Sequence, residues 1–461
     1  MEHRQKIIVA GAGAAGLMAA ISAARQGAQV TLLEGMERPG KKLLLTGNGR
    51  CNLTNLDPAL PEAYHGSGQE LAKVLTTRFG SDKICQFFEG LGLLIREKNG
   101  YVYPYSDRSG SVLEVLLAEL HRLKVKLKLS ERILSIKPSS DAENGRWIVK
   151  TATWAYQGDT VILACGSKCL PATGSDGSGY ELARRLGHHI CMPAPALVPV
   201  TCRSEDLPTL TGVRCRARVS LLHTAADSKP NSKVASKETA VIAAETGELQ
   251  WTKYGISGIV VFQLSRFVAA SKQPRQLAFS LDFLPDFESE RIKSLLSDRA
   301  AQIPNEKASV LLAGLLHEKL IPVILKEADR ILIAIQENKQ SELKKKKVRS
   351  LTKYTCAELE ELQIAALLQA VKQFPLAITG TKDFEQCQVC SGGVDAQELD
   401  PQTLESRLHP GLYFAGELVD VDGPCGGYNL QWAWSSGYAA GTAAAQVNHS
   451  QERNPYADPN Q

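Results

Sequence analysis

Apolar residues gather in short unbroken blocks near both ends of the chain and alternate with polar ones through much of its middle. The blocks at 6–10, KIIVA, and 28–34, AQVTLLE, predict buried strands of a parallel sheet. Between them, residues 11–26 open on glycines and continue with apolar residues at helical spacing. The three together predict a strand–helix–strand unit of about thirty residues.

Further helices are predicted at 81–91 and 111–123, with strand-rich segments at 124–138 and 146–155. The block at 159–164, DTVILA, predicts another buried strand. It leads into the loop CGSKCLPATGSDGSG and a helix at 180–186. The proline-rich stretch at 193–199, PAPALVP, marks a boundary. Beyond it, residues 200–275 predict antiparallel strands, and 285–350 predict charged helices. Residues 411–416 return to a buried strand, and 431–446 to an alanine-rich helix. No internal repeat is visible. The pattern predicts a discontinuous nucleotide-binding domain over 1–195 and 385–450. It also predicts a β-rich insertion over 196–280 and 350–384, a helical insertion over 281–349, and a disordered tail over 451–461.

Composition narrows the class. Of 461 residues, 44% are hydrophobic and 22% charged, as in a soluble globular protein. A net charge of +4 is too mild to point to nucleic acid by itself. No run of about 18 apolar residues predicts a membrane span. The opening MEHRQKIIVAGAG enters a strand directly, without the layout of a signal peptide. With eleven cysteines, an odd number, this predicts free thiols and a cytoplasmic protein. Cys387 and Cys390 form the only CxxC, with no second pair at metal-ligand spacing. They read as small residues of a buried strand rather than a redox dithiol, and no metal site is expected.

Gly11, Gly13 and Gly16 form a GxGxxG turn between strand and helix, with Ala14 and Ala15 inside it. The first glycine permits the turn, the second lets a pyrophosphate approach, and the third lets the helix pack on the sheet. Glu34 ends the next strand, 18 residues after Gly16. Its carboxylate suits ribose hydroxyls and repels a 2′-phosphate, which favours FAD or NAD over NADP. A second strand–loop–helix, residues 411–437, carries Gly416 and Glu417 at the strand end and Gly426 and Gly427 before the helix. A carboxylate there suits ribityl hydroxyls, and a helix N-terminus suits the negative edge of a reduced flavin.

Together these segments resemble the aminoacetone oxidase/BaiN/YhiN-type family of bacterial FAD-dependent oxidoreductases. The resemblance covers nearly the whole chain and rests on GAGAAG, TGNGRCNLTN, ACGSKCLPATGSDGSGY, QWTKYGISG, SGGV and GLYFAGELVDVDGPCGGYNLQWAWSSG in order. It implies an α/β fold: a two-dinucleotide-fold, Rossmann-like FAD domain with an inserted antiparallel β domain and a small helical domain. It implies that Gly47, Asn48, Gly49, Arg50, Cys51 and Asn52 line FAD. It extends the cofactor set to Lys42, Ile133, Ala164, Cys165, Gly166, Asp420, Tyr428, Asn429, Leu430 and Gln431. Arg50 is expected to neutralise pyrophosphate or a reduced ring, and Cys51 to be a packing residue. The chain departs from the family pattern at Asn48, where a glycine is usual, and at Ala164-Cys165-Gly166-Ser167 in place of ATGG. Lys253 and Ile259 stand where THxGxSGP has histidine and proline, so substrate identity does not carry over.

Candidates for chemistry are Lys253 and Tyr254 as proton donors and Tyr428 against the flavin ring. His188 and His189 read as local structure. Tyr101, Tyr103 and Tyr105 alternate, as on one face of a strand, with the core or an interdomain face as the default. The expected function is oxidation or reduction of a small organic substrate through FAD, with NAD(P)H or oxygen as the second partner. The alternative is flavin-dependent formation of dihydrouridine in ribosomal RNA, contacted by Lys344, Lys345, Lys346, Lys347 and Arg349. The loop GSDGSG at 174–179 is the nearest approach to a second nucleotide motif and is assigned to the FAD domain. NAD(P)H is therefore expected to bind transiently.

Overall fold

Residues 6–10 do form a strand, β1 (Lys6–Ala10), and the glycine turn leads into helix α1 (Ala14–Arg25) and strand β2 (Gln29–Leu33). The computed structural model describes residues 4–57, 59–140, 146–224, 240–339 and 349–446. The expected tail at 451–461 and Lys344, Lys345, Lys346 and Lys347 lie outside the described residues. The chain divides into two units, Met1–Ala194 with Cys387–Gln461, and Pro195–Gln386.

The first unit is built on a five-stranded parallel sheet. Strands β3 (Lys126–Lys128), β4 (Thr160–Leu163) and β5 (Leu412–Phe414) join in the order β5–β4–β1–β2–β3. Every residue of β4 and β5 is buried, which explains why their sequences show no polar alternation. The last strand thus returns from more than 200 residues away to sit beside β4, completing the sheet that the N-terminal segment starts. Helix α2 (Tyr428–Gln446) follows β5 and lies on α1. The contact is made by small residues. A Cβ on Gly437 would stand 2.4 Å from Ala15 O, and one on Gly441 would stand 2.3 Å from Ala19 O. Hydrogen bonds fix the same helix: Trp432 donates to Gly416 O at 3.0 Å and Trp434 to Leu53 O at 3.0 Å.

Helix Ser109–Arg122 is tied to α1 by Glu119, which is only 6% exposed. Arg25 meets it at 2.7 Å and Arg122 at 2.6 Å. The Arg122 hydrogen bond, opposed by burial and joined by Arg25, pulls the Glu119 carboxyl down to about 2.

The second unit contains a closed six-stranded antiparallel barrel. Around it run Val200–Arg203, Gly255–Ser257, Val241–Thr252, Arg214–His223, Leu277–Asp282 and Phe374–Thr381, the last pairing with the first. Closure removes exposed strand edges. Antiparallel strands were expected throughout 200–275, but Ile259–Ala270 is a helix. Its β-branched opening IVVF resembles a strand, yet it packs Val260, Val261, Leu264 and Val268 into the barrel core, so tertiary burial overrides propensity. Helices Ser289–Gln302, Ile321–Lys339 and Glu361–Lys372 share that core through residues such as Leu296, Ile324 and Leu367.

Two outcomes follow. Gly441→Ala should cost about 1–3 kcal/mol of stability, because the helices must separate to admit one methyl group; chemical denaturation measures it. The folded-state pKa of Glu119 lies below its ordinary value of 4.5, so its contribution is present above that value and is lost as pH falls toward 2. Glu119→Gln should therefore be less stable than the parent at neutral pH and lose less stability between those pH values, read from acid-unfolding curves.

Candidate functional site

The three glycines of the first turn are not equivalent. Gly11 has φ +100°, and a Cβ on it would stand 2.5 Å from Ala164 O. A Cβ on Gly16 would stand 1.8 Å from Gly11 O. The chain itself therefore demands glycine at both positions. Gly13 has extended backbone and nothing of the chain within 4 Å of an added Cβ. It borders open space at the N-terminus of α1, where Leu17 N donates to Gly13 O at 2.9 Å and the N–H groups of Ala14, Ala15 and Gly16 have no carbonyl in the helix to meet. A backbone that is close-packed at two glycines and open at the middle one suits an anionic ligand such as a pyrophosphate.

Glu34 faces the same turn. Its Oε2 accepts Ala12 N at 2.8 Å and its Oε1 accepts Met36 N at 2.9 Å. Each carboxylate oxygen has room for a second donor, so ribose hydroxyls remain compatible with it. Ile133 opens strand Ile133–Pro138 just past Glu131, whose N–H donates to Glu34 O at 2.8 Å. The loop at 174–179 packs here too: a Cβ on Gly174 would touch Met36 at 2.8 Å and Glu34 Oε1 at 3.8 Å.

The second strand end lies across α1 from the first. Gly416, with φ +69°, would bring a Cβ within 2.7 Å of Ala15 Cβ. Glu417 Oε2 accepts Lys42 Nζ at 2.5 Å and Ser167 Oγ at 3.0 Å. Burial opposes the Lys42 ammonium, but the charge and hydrogen bond of Glu417 outweigh it and push its pKa up. Lys42 is therefore a fixed cation. Ala164, Cys165 and Gly166 form the turn beside them, with Cys165 Sγ 3.6 Å from Ala10 O and its thiol pushed up to about 12 by burial. Ser167 was not singled out in the sequence, although it stands in the quoted ACGS segment. Asp420 does something other than the expected cofactor contact. It is 6% exposed, and its Oδ1 and Oδ2 accept the backbone N–H groups of Gly392 (2.9 Å) and Ser67 (2.8 Å), so it braces two loops.

The loop at 46–52 is unusual in its backbone. Gly47, Asn48, Gly49 and Cys51 all have positive φ, from 55° to 84°. Asn48 tolerates this conformation among non-glycine residues, which explains how it replaces a glycine. Nothing lies within 4 Å of a Cβ on Gly49. Cys51 is fully buried and its thiol is pushed up to about 12, as befits a packing residue. Arg50 Nε donates to Gly47 O at 3.2 Å, and its guanidinium carbon stands 5.3 Å from the Tyr103 ring centre in a cation–π contact. Asn52 is 8% exposed, and its Oδ1 is buried without a hydrogen-bond partner. A native protein rarely leaves such an atom orphaned, so a ligand donor fits there.

Gly426 and Gly427, with φ +113° and +98°, carry the chain into α2. A Cβ on Gly426 would strike the Tyr101 ring at 2.5 Å, and one on Gly427 would meet Thr54 O at 2.6 Å and Asn52 Oδ1 at 3.0 Å. Gln431 N donates to Gly427 O at 2.9 Å, leaving the N–H groups of Tyr428, Asn429 and Leu430 as the unmatched first turn. The side chains of this turn are engaged elsewhere. Tyr428 is 8% exposed and donates to Asp57 Oδ2 at 2.9 Å. Burial and Asp57 push its pKa up. Asn429 clips the loop before the helix, accepting Gly423 N at 2.9 Å and donating to Gly423 O at 2.8 Å. Gln431 is fully buried between Thr54 (2.5 Å) and Phe79 O (2.8 Å). Leu430 is partly buried in the same core.

Among the other candidates, His188 is bound at both nitrogens, to Glu398 (2.8 Å) and Ser406 (2.9 Å), as local structure. Tyr101 and Tyr103 share the half-buried face of strand Tyr101–Pro104, while Tyr105 is exposed. Cys387 and Cys390 are buried and form no disulfide, with Cys169 Sγ donating to Cys387 O at 2.8 Å. Arg349 is paired with Glu358 at 2.7 Å and lies 4.5 Å from the Tyr354 ring centre. Lys253 and Tyr254 belong to the other unit, at the hairpin between Val241–Thr252 and Gly255–Ser257. Lys253 is exposed; Tyr254 is half-buried with Lys382 Nζ 4.2 Å from its ring centre.

Two glycine turns opening onto unmatched helix N–H groups, each with a strand-end carboxylate, define a dinucleotide-binding flavoprotein. Residues 5–443 match the family described as HI0933-like protein Rossmann domain, and the chain belongs to that family of flavin-dependent oxidoreductases. It is 40% identical, over 96% of its length and 99% of the relative's, to a 3-dehydro-bile acid delta(4,6)-reductase of Clostridium scindens. It is 28% identical to a ribosomal RNA dihydrouridine synthase of Escherichia coli, over 95% of this chain and 97% of that one. A protein of the same name from Haemophilus influenzae is 26% identical over 95% and 98% of the two chains. Among the described residues no helix is long and apolar enough to cross a membrane.

The glycines can be separated by experiment. Gly13→Val should leave the stability of the flavin-free chain within about 0.5 kcal/mol and cut retained flavin at least tenfold. Gly16→Val should lower the melting temperature with or without flavin. Flavin absorbance per chain and thermal denaturation read the two effects.

Proposed function

We propose that this chain binds FAD across its two glycine turns and reduces a carbon–carbon double bond conjugated to a carbonyl in a small apolar substrate. The observation that carries the FAD reading is the open space at Gly13 together with the orphaned Asn52 Oδ1. The unmatched N–H groups of residues 14–16 would hold the pyrophosphate, Glu34 the adenosine ribose, and the fixed Lys42–Glu417 pair the ribityl side. The N-terminus of α2 would place its positive end beside the pyrimidine edge of the ring. FAD when bound supplies the hydride-transfer chemistry.

The substrate class rests on the relatives. The reductase at 40% identity and the dihydrouridine synthases at 26% and 28% all saturate a double bond conjugated to a carbonyl. The first covers almost the full length of both chains and favours a ring enone of sterol type. Of the basic residues proposed to hold RNA, Arg349 is already paired with Glu358, which gives the ribosomal RNA reading less support. NAD(P)H supplies the reducing equivalents transiently, since the loop at 174–179 packs against Glu34. Eleven cysteines without a disulfide fit a cytoplasmic setting. Saturation of an enone also needs a proton at the carbon next to the carbonyl. Lys253 and Tyr254 are the proposed catalytic residues of the second unit, and Lys382 Nζ stands 4.2 Å from the Tyr254 ring centre.

The test is product analysis. Purified enzyme with NADH or NADPH and a 3-oxo-Δ4,6 steroid should give a ring ketone with one double bond reduced for each NAD(P)H consumed. Tyr254→Phe should lower turnover by about 100-fold or more while flavin reduction by the nicotinamide is unchanged. No conversion of any conjugated enone, with dihydrouridine lost from ribosomal RNA on deletion of the gene, would replace this reading with the RNA one.

A further inference from the structure

His189, Cys191 and Asp395 come together within the first unit. One ligand atom from each, an imidazole nitrogen, the thiol sulfur and a carboxylate oxygen, lies within 4.8 Å of the others. His189 Nδ1 and Asp395 Oδ2 are 3.3 Å apart. Two ligands at about 2.0–2.1 Å from a tetrahedral ion stand roughly 3.3–3.4 Å from each other, so that spacing is already the one a metal requires. The donor set is also selective: one nitrogen, one sulfur and one oxygen suit a borderline ion such as Zn²⁺, not Mg²⁺ or Ca²⁺.

The backbone holds these residues in place. Strand Ile190–Ala196 pairs with Val389–Val394, and Asp395 N donates to His189 O at 3.0 Å. Gly392, with φ +82°, lets the two strands close: a Cβ there would stand 2.4 Å from Met192 O. Glu398 accepts His189 N at 3.0 Å and His188 Nδ1 at 2.8 Å, fixing the chain on the other side. Asp395 keeps Oδ2 for the cluster while its Oδ1 accepts Gln397 N at 3.0 Å. Local charge favours a cation. The carboxylates of Asp395 and Asp420 stand beside the Cys191 thiol, and their negative charge attracts a divalent ion. His189 is 65% exposed at its side chain, so the fourth position opens to solvent and an entry path exists.

We propose that His189, Cys191 and Asp395 form a three-ligand site for a zinc-type divalent cation, with water completing a tetrahedron. The site is independent of the flavin reading.

Cobalt(II) reports on it directly, because a bound cysteinate gives a charge-transfer band that aquo-cobalt lacks. The metal-stripped full chain, with its flavin spectrum subtracted, is titrated with Co²⁺ and then with competing Zn²⁺. The expected result is one cobalt per chain, a cysteinate band that zinc bleaches, and loss of that band in Cys191→Ser. His189→Ala, at an exposed position, should weaken cobalt binding about tenfold or more while the flavin content stays at the parental level. Cobalt bound without a cysteinate band, a band that persists in Cys191→Ser, or no binding at millimolar cobalt would each overturn the proposal.

Discussion

Direct backbone contact at the glycine turns is the constraint on which the rest of the first unit depends. Gly16 sits against Gly11 O, Gly11 against Ala164 O, Gly437 against Ala15 O and Gly441 against Ala19 O. These approaches lock α1 between β1, β4 and α2 with no side chain between them. They set how α2 packs on α1. The C-terminal segment is bound to the N-terminal one by this contact, which is why the domain is discontinuous in sequence yet continuous in its sheet.

A second consequence is a division of labour between backbone and side chains. Helix N–H groups and glycine turns are left for the ligand. The polar side chains around them are mostly spent on holding loops: Asp420 on Ser67 and Gly392, Asn429 on Gly423, Gln431 on Thr54 and Phe79, Tyr428 on Asp57. Such a site is precise because its fixed donors rest on rigid elements. Lys42 with Glu417 is the charged exception, and Asn52 Oδ1 the polar one.

The α/β fold was legible in the sequence where periodicity and glycine spacing act locally. The strand–helix–strand opening, the buried strand at 160–163 and the return strand at 412–414 all carry patterns readable within a few residues. Helix Ile259–Ala270 was not, because its β-branched opening is burial pattern rather than strand propensity. The protein partners of Arg50, Tyr428 and Asn429 were not legible for a related reason. Residue type says that a group seeks a partner, but Tyr103 and Asp57 are supplied from distant segments by the tertiary fold. The cluster of His189, Cys191 and Asp395 escaped notice likewise, since two of its members are joined to the third only by strand pairing across some 200 residues.

The central claim is that flavin held here delivers reducing equivalents to a conjugated double bond. Anaerobic spectroscopy of the reduced enzyme tests it most directly. The flavin is reduced with one equivalent of NAD(P)H, and a 3-oxo-Δ4,6 steroid is added with oxygen excluded. The account predicts that the oxidised flavin spectrum returns in step with formation of one equivalent of the product in which one of the two double bonds is reduced. Flavin that stays reduced until oxygen is admitted would contradict it.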